Sequence, residues 1–356
     1  MKNVINKNII LLFLLILIIQ FIFILFDHEA IYTDDSKLFS AAYEQIRNGE
    51  LTPLIFFTNP IDYMPYGVAF SFANLLLFSN INLDNIIYSN HAIIILISLI
   101  WMKIFQLEKI KFYKTIAILI TLNPALNFYS NFILKDVQIL FFLSIVIYFY
   151  YLNKYQTNKF KSIIYIAITI YAVFLGTISR PYFIFLMMTY YLFVKYIRNE
   201  MRDNLKNIFS LLLIFFIIIY YSTSQIKILY DLKMIALSTM AFILSPNIGN
   251  IDNWVNFQFM TFISLVKLII IYLGLIFQPV KVLKILVCLF IIVLPYGGAA
   301  CLPQIQLSNH DDNLFATNAG RTGLAVIPIV TYMVLNVLIL NLKYLKSIYK
   351  IKLKSL

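Results

Sequence analysis

Charge is what this chain has least of. Asp, Glu, Lys and Arg together make up 12% of its 356 residues, against about 25% in an average globular protein. Apolar residues make up 62%, against an ordinary share of about 45–50%. A soluble fold has no interior large enough to hide so much apolar surface, whereas a bilayer replaces the missing core with lipid. Cysteine is also scarce. Cys288 and Cys301 are the two present, with neither a disulfide framework nor metal-ligand spacing, so both read as packing residues. Glycine is held to 9 residues, and no internal repeat or low-complexity tract interrupts the chain. No Ser/His/Asp triad, zinc motif, phosphate-binding P-loop or dinucleotide fingerprint occurs. His28, His91 and His310 are scattered; His91 reads as buried in a helix, and His310-Asp311-Asp312 as a solvated loop.

Long apolar runs are what the chain has in abundance. A membrane helix needs about 20 mostly apolar residues, and such runs predict helices over 9–26, 86–104, 115–131, 137–153, 163–178, 182–197, 207–222, 262–279, 285–300 and 324–342. The first follows Lys2 and Lys7 and runs into Asp27-His28-Glu29. It is too long for a signal peptide and lacks a small-residue cleavage site, so it reads as a retained membrane helix. The shorter run from Val68 to Phe78 reads as a re-entrant or interfacial helix.

The charges test this count. With the N-terminus inside, the inner segments hold 20 of the 28 basic residues but only Glu108, Glu200 and Asp203 of the 16 acids. Basic residues concentrate in cytoplasmic loops of membrane proteins. The sequence thus predicts an all-α, polytopic membrane protein of about ten transmembrane helices, with both termini cytoplasmic and 1–356 forming a single transmembrane domain. The net charge of +12 is a topology signal, and nucleic acid is excluded as a partner.

Two outer segments are long: 27–85 and 223–261. In the first, Asp34 or Asp35 caps a helix starting near Ser36, with Leu38, Phe39, Ala42, Tyr43 and Ile46 on one face and Gly49 at its end. This is an amphipathic helix lying at the membrane surface with a carboxylate pair at its start. Asn59-Pro60-Ile61-Asp62-Tyr63-Met64-Pro65-Tyr66 then forms a rigid turn. In the second, Lys227, Asp231 and Lys233 lie in a helical stretch before Ser245-Pro246-Asn247. Charges at membrane depth are costly and commonly paired or functional. Asp136, at the outer mouth of the fourth helix, is one such residue, a second acid and metal candidate unless it merely pairs with Lys135. Arg180, in Ser179-Arg180-Pro181-Tyr182 at the next outer turn, has few roles there except to bind an anion or pair with a carboxylate. Arg321 precedes the last helix, where the helix dipole favours an anion.

The acidic pair after the first membrane helix, the amphipathic helix ending in Gly49 and the Pro-aromatic turn resemble the first outer loop of GT-C-type glycosyltransferases, multi-span enzymes that use polyprenyl-phosphate-linked sugars. Ser130-x-x-x-x-Lys135-Asp136 and Ser179-Arg180-Pro181-Tyr182 are similar to bacterial members from surface-polysaccharide systems, and Arg321 before Pro328 matches a C-terminal Arg-x-x-x-x-x-x-Pro pattern. Asp35 stands where the family usually has Glu, and Asn59 where it usually has His. The resemblance implies Asp34 or Asp35 as catalytic base or metal contact, Asp136 as the second acid, and Arg180 and Arg321 as phosphate binders. These residues are expected to converge on one outward-facing cavity. It implies a polyprenyl-linked sugar donor, a glycan or lipid acceptor, lipid contact throughout, and residence in a bacterial inner membrane. The sequence fixes no cofactor; a divalent cation is the candidate. An O-antigen or capsule repeat-unit polymerase using polyprenyl-diphosphate glycans shares the size, topology and outer arginines and is the alternative. A transporter or flippase ranks third, because the charges cluster at the outer mouth rather than at mid-membrane.

Overall fold

The computed structural model describes residues 14, 18, 41–42, 44–46, 48, 84–130, 135–180, 183–198, 200, 235–236, 239–240, 243, 258–307 and 323–354. Nearly all of them are helical, with short turns and irregular links between helices, and no strand occurs among the described residues. The chain forms two compact units, Met1–Met187 and Met188–Leu356.

In the first unit, α1 (Asp84–Leu107), α4 (Asp136–Lys154) and α5 (Lys159–Ser179) are the long helices. Asn90, Ile94, Ile97, Trp101 and Ile104 recur at the three-four spacing of a helix face and are buried on α1, while Leu96 on the other side is 45% exposed. That face packs on α4. α5 packs on the other flank of α4, yet only Ala172, Leu175, Gly176 and Ser179 of its 21 residues are buried. Phe160, Ile163 and Ile170 point outward, as expected of a helix whose remaining surface meets lipid. The α1 end is closed by Lys109 in the left-handed region (φ 57°), with the Ile110 N–H donating to the Phe105 carbonyl, a glycine-type cap made by a lysine.

The predicted helix 115–131 is divided in the structure. α2 (Tyr113–Thr121) and α3 (Pro124–Ser130) are separate short helices beside α1. Pro124 has no N–H to continue α2 and suits the first position of α3. The freed groups are taken by side chains. Asn123 Oδ1 accepts from Leu126 N–H, and Asn127 Nδ2 donates to the carbonyls of Thr121 (2.6 Å) and Asn123 (2.9 Å). Unsatisfied backbone groups cost several kcal/mol in lipid, so the break requires this asparagine-rich sequence.

α6 (Phe183–Ile197) begins in the first unit and continues into the second; at 15 residues it is shorter than the other apolar helices. In the second unit, α7 (Gln258–Phe277), α8 (Pro279–Leu307) and α9 (Ile327–Lys354) pack on one another. Tyr190 on α6 donates to the Ala325 carbonyl in the buried 3-10 turn Gly323–Val326, which leads into α9. Pro295 interrupts the α8 ladder, and the Tyr296 N–H next to it donates to Thr189 Oγ1. Ile235, Thr239 and Ile243, at helical spacing, are buried. A Cβ on Gly297 would come within 2.5 Å of Thr239 Oγ1, so part of the predicted long segment 223–261 is a helical layer against α8.

Six helices among the described residues are long and apolar enough to cross a membrane. They correspond to six of the ten predicted. The divided α2–α3 stretch and the shorter α6 account for two more. Of the predicted helices at 9–26 and 207–222, only the helical residues Leu14 and Ile18 are described, and both are exposed.

Candidate functional site

The first and last residues that matter here sit at opposite ends of two neighbouring helices. Asp136 is the first residue of α4, where the positive end of the helix dipole favours a carboxylate. Arg180 caps the C-terminus of α5 in extended conformation, φ −153° and ψ 107°, where the dipole favours a cation. The α5 end is fixed by two bonds: Arg180 N–H to the Gly176 carbonyl, and Phe183 N–H to the Arg180 carbonyl, both 2.9 Å. The turn back brings the Phe183 ring so near Gly176 that a Cβ there would lie 2.5 Å from the ring. Glycine at 176 therefore permits the turn that aims Arg180 at α4.

The result is a buried ion pair. Arg180 Nη2 donates to Asp136 Oδ1 at 2.6 Å, and the two side chains are 4% and 2% exposed. Lys135, the residue before α4, is also buried, at 4%. Two cations and one carboxylate are thus withdrawn from solvent at one end of the α4–α5 pair. Two residues further along α4, Gln138 is fully buried, and neither its Nε2 nor its Oε1 has a hydrogen-bond partner. Buried amides are almost always satisfied, so Gln138 is an anomaly.

Of the residues expected from sequence, the structure brings Asp136 and Arg180 into direct contact. Asp34, Asp35 and Arg321 lie outside the described residues, as does the Pro-aromatic turn. Within the expected amphipathic segment, residues 41–42 and 44–46 are helical, Ala42 is buried, and the Asn48 N–H donates to the Glu44 carbonyl. No group of His, Cys, Asp or Glu able to hold a metal occurs among the described residues. Gln138 was not singled out by sequence; a lone glutamine in an apolar run carries no motif, and its solvent isolation becomes visible only in the packed helix pair.

No family model matches the chain, and no curated protein or solved structure matches it either.

Proposed function

We propose that the chain is a polytopic glycosyltransferase of a bacterial inner membrane, with about ten transmembrane helices and both termini cytoplasmic, moving a sugar from a polyprenyl-phosphate carrier to a glycan or lipid acceptor on the outer face. The observation that carries this reading is the buried Asp136–Arg180 pair with Lys135 beside it in the chain. It forms at the helix mouth where the family resemblance sets its second acidic residue. A cation-rich cluster withdrawn from water is chemically suited to a departing phosphate, because charge stabilisation strengthens as water is excluded. The acceptor hydroxyl attacks the anomeric carbon and forms the new glycosidic bond. The bond from that carbon to the phosphate oxygen breaks, and polyprenyl phosphate leaves with the electron pair. The hydroxyl proton passes to a carboxylate, for which Asp34 and Asp35 are the candidates. Arg180 supports the phosphate with a fork that is always charged, and Arg321 remains the second phosphate-binding candidate.

The test is the purified full chain supplied with polyprenyl-monophosphate or polyprenyl-diphosphate sugars. Single additions from the monophosphate donor support the transferase, whereas ladders from the diphosphate donor would indicate the polymerase. No product with any donor, together with donor movement across vesicles, would leave a flippase. Asp34→Asn and Asp35→Asn keep size and capping ability while removing charge. At least one of them is expected to lower the rate by about 100- to 10,000-fold, and full activity in both refutes the assigned base.

A further inference from the structure

The second unit carries a cleft unrelated to the ion pair. It lies between the α7–α8 hairpin and the C-terminal half of α9, has a volume of about 610 Å³, and is lined by Gln278, Lys281, Leu340, Lys343, Tyr344 and Ser347. Its frame is rigid. Gln278 Nε2 donates to the Leu340 carbonyl at 2.9 Å, and Tyr344 stacks on Phe277 with ring centres 5.2 Å apart. The α8 N-terminus opens onto it, with Pro279 and Val280 in its wall.

Two features define what it would hold. The first is charge. α7, α8 and α9 contain no aspartate or glutamate at all, and neither Lys281 nor Lys343 has an ion-pair partner among the described residues. The cleft therefore presents two uncompensated ammonium groups from different helices beside a serine hydroxyl and the positive end of a helix dipole. The second is the setting. Val280 is 66% exposed and Leu342 57% exposed, so apolar surface suited to acyl chains borders the lysines directly. Lysine and tyrosine at such a border mark the headgroup level of a bilayer.

We propose that this cleft binds the phosphate of an anionic phospholipid, its acyl chains lying along the exposed apolar flank of α8 and α9. Phosphatidylcholine carries the same phosphate under a choline cation, which the lysines repel, so the cleft selects net negative headgroups. The inference does not depend on the transferase reading, and its failure leaves that reading untouched.

The full chain in detergent, titrated with short-chain phosphatidylglycerol, phosphatidylcholine or glycerol phosphate and followed by native mass spectrometry, tests it. Phosphatidylglycerol should be retained in preference to phosphatidylcholine, and glycerol phosphate should not displace it. Lys281→Gln with Lys343→Gln should weaken phosphatidylglycerol by roughly 25-fold, about five-fold per lysine, while the Arg double variant retains binding. Lys284→Gln with Lys346→Gln removes the same charge from exposed lysines outside the cleft and should leave binding within about two-fold, well short of the effect of a basic residue at the surface. Equal loss in this control, equal retention of phosphatidylcholine, or displacement by glycerol phosphate each overturns the assignment.

Discussion

Consider the removal of one partner from the Asp136–Arg180 pair. At 2.6 Å between the nearest atoms, two unit charges attract by about 6 kcal/mol at an effective dielectric of 20. Most of that gross attraction is offset by the loss of solvation on burial. The net worth of the intact pair is therefore small, but the cost of halving it is not. Asp136→Ala leaves a guanidinium that is 4% exposed with its neutralising carboxylate gone, and should destabilise the first unit by about 3–5 kcal/mol. Arg180→Met takes the guanidinium from a buried carboxylate and should cost about as much. The double variant Asp136→Leu, Arg180→Met replaces both charges with apolar groups and should recover most of the loss, giving a coupling of at least about 2 kcal/mol in the double-mutant cycle. Resistance to SDS unfolding, or the thermal midpoint followed by circular dichroism, reads this. Strictly additive single effects of under about 1 kcal/mol would show that the pair is not coupled. The same double variant separates structure from chemistry: if it is stable yet makes no glycan product, the charges act in the reaction, and if it is stable and fully active, neither belongs to the mechanism.

Gln138→Met removes a buried amide without partners while keeping the shape, and should be neutral or stabilising by up to about 2 kcal/mol in an SDS midpoint; a clear loss of stability would mean the amide is bonded in the folded protein. Gly176→Ala forces a methyl group against the Phe183 ring and should cost about 1–3 kcal/mol, with partial recovery in Gly176→Ala, Phe183→Leu. Asn127→Leu abandons the carbonyls of Thr121 and Asn123 and should cost about 1–3 kcal/mol, read as a lower thermal midpoint; an unchanged midpoint would mean that water or another group takes those carbonyls. Lys109→Gly relieves a left-handed lysine and should raise stability by about 1 kcal/mol, whereas Lys109→Val should lower it.

The long helices were legible because α1, α4, α5, α7, α8 and α9 are apolar runs bounded by charge or proline, and their ends fall within a turn or two of the expected limits except at the C-terminus of α9. The division of 115–131 escaped because a hydropathy window averages over it. The signal was local: Asn123-Pro124, followed by Asn127, is a stop and a restart in one. Asp136 and Arg180 stood out individually, since charge is expensive at membrane depth. Their convergence was expected only through the family resemblance; direct pairing of these two could not be read from the residues, because 44 residues separate them and periodicity within one helix says nothing about which end of its neighbour lies alongside. The lysines of the α7–α9 cleft were read only as markers of sidedness; that Lys281 and Lys343 share one concavity depends on how α9 crosses the hairpin.

The polar contacts along α1 have a further consequence. Asn90 reaches the Ser130 carbonyl, Ser98 accepts from Thr121 Oγ1, and Trp101 Nε1 donates to Ser144 Oγ. Helices sliding through lipid feel little hydrophobic penalty, since one apolar neighbour is as good as another, and each such bond is worth only about 0.6 kcal/mol. Three of them spaced along one helix nevertheless act as a vernier. A slip of one residue, about 1.5 Å, would unseat all three together, and a full turn would bring up apolar side chains in place of donors. Their combined effect is to forbid wrong alignments more than to strengthen the right one, which is how a bundle greased on every side keeps a single setting.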